Sequence, residues 1–151
     1  MDELDTKVIK ILQKDGRASN AAIARKVGVS EGTVRRRLKR LVQEEYIQVV
    51  ALPDFVKMGY QTQALVGIQV EPEKIDKVAG DLSTLPEISW LAVTTGSFDI
   101  FAWVTLLSAE ALGIFLRTKV GIVPGVQRTE TFVNLDKKCG YGIAIERLTG
   151  V

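Results

Sequence analysis

The stretch Ser30–Leu41, SEGTVRRRLKRL, decides how this chain is read. Ser30 can cap a helix, because its hydroxyl accepts from the free N–H groups of the first turn. Val34, Leu38 and Leu41 fall at i, i+4 and i+7 and so share one helical face. At about 100° per residue, Gly32, Arg36, Lys39 and Gln43 point the other way, with Arg35 and Arg40 on the flanks. From Ser30 to Gln43 there are five Lys/Arg and one Glu, a net charge of +4. An apolar seam under a cationic face suits a DNA major groove, whose walls are lined by phosphates.

A basic amphipathic helix on its own is more often a solvated surface helix, or one that lies on a membrane. The segment before it decides. Ser19 to Val27 predicts a short helix with Ile23 and Val27 inward and the small Ala24 at a close crossing. Gly28 is placed to end that helix in the left-handed region, and Val29 plugs the corner. Helix, glycine turn, capped basic helix is the helix-turn-helix pattern. In that pattern the first residues of the second helix meet base edges. Here those are Glu31, Gly32 and Arg36, behind the capping Ser30. Thr33, Arg35, Lys39 and Arg40 are placed to reach phosphates. Arg37 sits beside the apolar seam and reads as an anchor for Asp2 or Asp5 on the first helix.

The composition excludes several classes. There is no His, which removes the usual general base, the Ser-His-Asp triad and most zinc chemistry. The single Cys139 excludes an internal disulfide and a Cys-rich metal site. No catalytic residue and no metal ligand is predicted, and the chain reads as no enzyme. No run is long enough to span a bilayer and MDELD does not resemble a signal peptide, so a cytoplasmic protein without membrane contact is expected. Residues 1–50 carry 11 Lys/Arg against 7 Asp/Glu, while residues 51–151 carry 9 against 11. The basic part is the DNA binder, and the remainder needs another task.

Taken in order, Leu4, Val8, Ile11 and Leu12 predict a first helix ending near Lys14, before an Asp15-Gly16 turn. Three helices then reach about Glu44. YIQVVAL, Tyr46–Leu52, is short and β-branched and predicts a strand. The expected organisation is a helix-turn-helix domain over 1–48, a hinge strand and linker over 49–60, and a second domain over 61–151. In that domain Ala64, Val66, Ile68 and Val70 alternate as a strand, and Pro72 opens a helix whose inner face is Ile75, Val78, Ala79, Leu82 and Leu85. Strands follow over Ile88–Thr95 and Phe98–Leu107. Ser108 caps a helix with Leu112, Phe115 and Leu116 inward, Val126–Leu135 is a fourth strand, and Tyr141–Leu148 a fifth. The order βαββαβ predicts an α+β, ferredoxin-like sandwich with two helices on one face of an antiparallel sheet.

The third strand is apolar on both faces. Ile100, Ala102, Val104 and Leu106 line one, and Phe101, Trp103 and Leu107 the other. A sheet covered on one side should be polar on its free side. A second copy of the same sheet is the simplest cover, giving a two-fold dimer with Phe101 and Trp103 at its contact. The hinge strand, with Ile47 and Val49, is expected to pair with its symmetry mate.

With these features in place, the whole chain resembles the Lrp/AsnC family of leucine-responsive and asparagine-responsive transcription regulators. The resemblance rests on LDTKVIKIL, DGRAS, IARKVGVSEGTVRRRLKRL, VTTGSFDIF and PGVQRTETFV, in that order and spacing. It implies an N-terminal helix-turn-helix, a hinge strand, a C-terminal effector-binding (RAM-type) domain, and dimers that assemble further to octamers. Two positions depart from the family pattern: Ala22 stands where Glu is usual, and Tyr46 where Gly is usual. The resemblance also implies an effector site. By local sequence Thr94–Asp99 is an ordinary hairpin turn, but it matches the family's effector loop. Asp99 can accept from an ammonium, while the backbone around Thr95, Gly96, Ser97 and Phe98 can donate to a carboxylate. Phe132, Val133 and Asn134 match positions beside the ligand, and Asn134 suggests a polar effector. No cofactor is required; a small amino acid is the implied ligand, and double-stranded DNA and a second copy of the chain are the implied partners. The function expected is a sequence-specific regulator that responds to this effector. The alternative is an architectural protein that wraps DNA with little sequence preference.

Overall fold

The computed structural model describes residues 1–137, which fall into two compact units, Met1–Leu52 and the residues from Pro53 on. The fifth strand expected at Tyr141–Leu148 lies outside the described residues.

The first unit is three helices, α1 (Glu3–Lys14), α2 (Asn20–Val27) and α3 (Glu31–Gln43). Each has a side-chain cap: Asp2 accepts from the Asp5 N–H, Ser19 from Ala22 and Ser30 from Thr33. Gly28 closes α2 at φ 75°, a left-handed conformation that glycine adopts without a Cβ clash. Val8, Ile23, Ala24 and Val34 form the core, with Leu4, Ile11, Leu12, Val27 and Val29 packed around it. Ile9 and Leu41 make a second small cluster that Ile47 joins.

Within one chain residues 46–52 form no strand, because a ladder needs a neighbouring edge and none of the described residues supplies one; the expected edge is that of a symmetry mate. Val49, Val50 and Leu52 are more than half exposed, whereas Ile47 packs partly against Ile9 and Leu41. The left-handed residue after α3 is Glu45 (φ 58°), one position before Tyr46. The Tyr46 and Glu45 N–H groups reach back to the Leu41 and Val42 carbonyls, a turn that makes residue 45 the one where glycine would relax the backbone.

The second unit is β1 (Thr62–Val70), a 3₁₀ turn (Pro72–Lys74) leading into α4 (Ile75–Ser83), β2 (Ile88–Val93), β3 (Ile100–Leu106), α5 (Ala109–Phe115) running into one π-turn (Leu116–Val120), and β4 (Val126–Val133). The sheet is antiparallel in the order β2-β3-β1-β4, the ferredoxin-like arrangement. Ala64, Val66, Ile68, Ile100, Ala102 and Val104 face the helices and meet Val78, Leu82, Leu112 and Phe115, all buried. The alternation read from sequence thus places the core on the expected face.

The opposite face is also apolar. Register puts Leu65 between Trp103 and Phe132, and Gly67 beside Phe101. Trp90 stands opposite Trp103. The ring of Phe98 joins them, edge-on to Phe101 and Phe132 at 5.5 and 6.5 Å between centroids. Trp90 and Phe132 are about half exposed, at 52% and 47%.

Candidate nucleic-acid interface and effector loop

On α3 the burial follows the predicted seam: Val34 and Leu41 are fully buried, and Leu38 is half-buried. Ser30 Oγ accepts from the Thr33 N–H at 3.2 Å and lies 2.9 Å from Thr33 Oγ1, so these two hydroxyls complete the N-terminus. A Cβ at Gly32 would meet only Ser30 Oγ, at 4.0 Å, which leaves the front of the helix bare.

The five cations of α3 separate into three kinds. Arg37 bonds both Asp2 and Asp5, the anchoring role read from its position beside the seam. Its guanidinium holds the Asp2 carboxyl down at about 2, aided by the Asp5 backbone N–H. Arg40 was expected at a phosphate, but it donates to Asp5 Oδ2 at 2.5 Å, so its near partner is a carboxylate of its own domain. Arg35 pairs with Glu31 one turn earlier at 2.6 Å, and both side chains are well exposed. Such exposed pairs contribute only ~0.3–0.5 kcal/mol and exchange easily. Arg36 and Lys39, three residues apart on the outward face, are exposed and make no ion pair among the described residues.

Asp5 is the residue that sequence reasoning undervalued. Its side chain is 0% exposed, yet it faces two guanidiniums. Removing one partner of such a buried pair typically costs ~3–5 kcal/mol, because it leaves a charge without compensation. The signal was present: Asp2 and Asp5 stand three apart at a helix start, and each carboxylate caps the other's backbone N–H.

In the second unit the loop Thr94–Asp99 joins β2 to β3. Gly96 has φ 109°, a conformation side chains resist. The Thr94 N–H donates to the Asp99 carbonyl at 2.8 Å, and the Asp99 N–H to the Ile68 carbonyl at 3.0 Å. Gln69 Nε2 donates to the Ser97 carbonyl, and Thr94 Oγ1 to that of Phe98. The N–H groups of Gly96, Ser97 and Phe98 donate to no backbone carbonyl among the described residues. Asp99 has a second task that the sequence did not reveal: its Oδ2 accepts from the Val70 N–H at 2.8 Å, at the irregularity between Gln69 and Val70.

The predicted loop residues do not all converge. Phe98 and Phe132 share the open face of the sheet, while Asp99 is bonded to the Val70 N–H. Val133, next to Phe132 on a strand, points to the opposite face, and Asn134 spends its N–H on the Gln63 carbonyl at 2.8 Å.

Sequence comparison agrees with both units. Residues 1–42 match the AsnC-type helix-turn-helix domain, and residues 63–141 match the Lrp/AsnC ligand binding domain. An HTH-type transcriptional regulator of Pyrococcus furiosus is 41% identical over 143 residues, covering 93% of this chain and 97% of that one. Among solved structures, AsnC of E. coli superposes with a TM-score of 0.88 at 26% identity, over 95% of this chain and 98% of that chain. A transcriptional regulator of Neisseria meningitidis in complex with L-Met has the same fold, with a TM-score of 0.89 at 22% identity over 98% and 99% of the two chains.

Proposed function

The chain belongs to the Lrp/AsnC family of transcription regulators, and on that premise we propose that it binds DNA sequence-specifically through α3 and responds to a small amino acid. It works in the cytoplasm as a dimer or an assembly of dimers. The observation that carries the DNA part is the pair Arg36 and Lys39, unpaired among the described residues on the outward face of a capped helix. Arg36, next to the bare Gly32 surface, reads a base edge. Lys39 meets a phosphate, and Arg35 joins it when Glu31 releases it.

The amino-acid part is supported by the chemistry of the Thr94–Asp99 loop. Free backbone N–H groups at Gly96, Ser97 and Phe98 suit a carboxylate, and Asp99 retains an oxygen for an ammonium. The match of residues 63–141 to a ligand binding domain, and the fold shared with a regulator solved with L-Met, point the same way. Ligand alters DNA binding by favouring one assembly over another, which requires different affinities for the two. The open aromatic face is where a second copy would pack.

Selection of bound sequences from random DNA, with and without the twenty amino acids, tests the reading. Enrichment of one motif, relaxed at a single base position in Arg36→Ala, is the expected result. An unenriched pool with full affinity would instead identify a DNA-wrapping protein.

A further inference from the structure

The helix proposed to meet DNA carries five cations, but two of them, Arg37 and Arg40, are tied to a buried carboxylate that cannot release them cheaply. We propose that Asp5 on α1 is a positioning residue for DNA binding: it withholds Arg40 of α3 from the phosphates and so limits the non-specific affinity of the domain. The inference rests on α3 being the helix that contacts DNA.

Asp5 is fully buried, and both its oxygens are in use. Oδ1 accepts from Arg37 Nη1 at 3.2 Å. Oδ2 accepts from Arg40 Nη2 at 2.5 Å and from the Asp2 N–H at 3.0 Å. For Arg40 to reach a phosphate, Asp5 would have to lose a guanidinium while remaining out of water. The phosphate offers Arg40 one negative charge in exchange for another, but in a better solvated place, so the gain does not cover the buried charge left behind. Arg40 is itself partly sunk, because its Nε is buried without a hydrogen-bond partner. The Arg35–Glu31 pair differs, since both side chains stay in water whichever partner Arg35 takes. The cations offered to DNA by α3 are therefore Arg35, Arg36 and Lys39, and α1 decides that Arg40 is not among them.

The salt dependence of binding to a random-sequence duplex reads this directly, because each phosphate neutralised adds about 0.9 to the slope of log K against log salt. With the full chain, Lys39→Gln should flatten the slope by about one unit, a change of three- to fourfold in relative affinity across a fourfold salt range. Arg40→Gln should leave the slope as it is. Asp5→Asn removes the charge, keeps the side chain's size and frees Arg40, so the slope should steepen by about one unit. Adding Arg40→Gln to Asp5→Asn should restore the original slope. An Arg40→Gln variant that flattens the slope as much as Lys39→Gln overturns the proposal, as does a folded Asp5→Asn variant with an unchanged slope. If Asp5→Asn does not fold, the comparison of Arg40→Gln with Lys39→Gln decides alone. Should neither flatten the slope, α3 is not the DNA contact, and the functional reading falls together with this inference.

Discussion

The ring of Phe98 rests on Gly67, so closely that a Cβ at position 67 would stand 2.8 Å from the Phe98 Cγ. Gly67 lies mid-strand in β1, opposite Phe101, and its missing side chain is the seat for the ring that anchors the Thr94–Asp99 loop to the sheet. Gly67→Ala must push the root of that ring aside. Overpacking of this kind costs ~1–3 kcal/mol, more than the ~0.5–1 kcal/mol that alanine gains over glycine in a strand. Urea unfolding should therefore show net destabilisation. In a Phe98→Ala background the same change should become neutral or favourable, and a cost that persists there would assign the glycine to something other than Phe98.

Glu45 holds φ 58° at the end of α3. A non-glycine residue in that region costs ~1–2 kcal/mol, and glycine returns part of the gain through its greater freedom in the unfolded chain. Glu45→Gly should raise stability by up to ~1 kcal/mol, read as an increase in melting temperature. Glu45→Ala should give no such increase, since alanine keeps the Cβ. A stabilised alanine variant would place the effect in the lost charge instead.

Helical and alternating periodicities placed all three helices of the first unit and the four described strands, because burial of one face is a local and repetitive signal. The caps at Ser30 and Ser108 and the turn at Gly28 were legible because residue type there answers a local backbone need, whereas the Ser19 cap was not read. Arg37 was legible because its angle from the seam is fixed by the helix. Arg40, Asp99 and Glu45 were not. Which carboxylate meets Arg40 depends on how α1 crosses α3. The bond from Asp99 to Val70 depends on sheet register. The left-handed position at Glu45 depends on where α3 stops. The segment 46–52 is a different case: its composition suits a strand, but a strand also needs a partner, and within one chain it has none.

Asp2 gives the first unit a defined response to acid. The Arg37 guanidinium, and then the Asp5 backbone N–H, lower its carboxyl from 3.8 to about 2 in the folded chain. A carboxyl depressed on folding binds protons more weakly in the folded state, so its stabilisation is complete above about 4 and is lost as pH falls towards 2. Asp2→Asn keeps an oxygen to cap α1 but loses the charge. The melting-temperature difference between wild type and Asp2→Asn should be constant near neutrality and close between about pH 4 and 2. A difference that survives undiminished at pH 2 would show that it does not come from the ion pair.

Trp103 stands at the centre of the open sheet face, opposite Leu65 on one side and Trp90 on the other. If this face packs against a second copy, Trp103→Glu buries an unpaired carboxylate in the contact. The side chain is only half-buried within one chain, so the protomer should keep its secondary structure by circular dichroism. Light scattering should then give the mass of a monomer. A folded Trp103→Glu variant that remains dimeric would move the contact to another surface.

The effector reading turns on Asp99, whose two oxygens separate structure from ligand. Oδ2 accepts from the Val70 N–H, so an alanine here would strand a backbone donor and disturb the loop whatever its role. Asparagine is the informative substitution, since it keeps an acceptor for Val70 and removes only the charge that an ammonium needs. Asp99→Asn should melt within about 1 kcal/mol of wild type, because the bond to Val70 survives. Its affinity for an amino acid should fall at least tenfold, the loss of one charged hydrogen bond worth ~1.5–3 kcal/mol. Calorimetric titration of each amino acid against both proteins measures this. Equal binding by wild type and variant would leave Asp99 a purely structural residue of the Thr94–Asp99 turn, and the ammonium partner would have to be sought elsewhere.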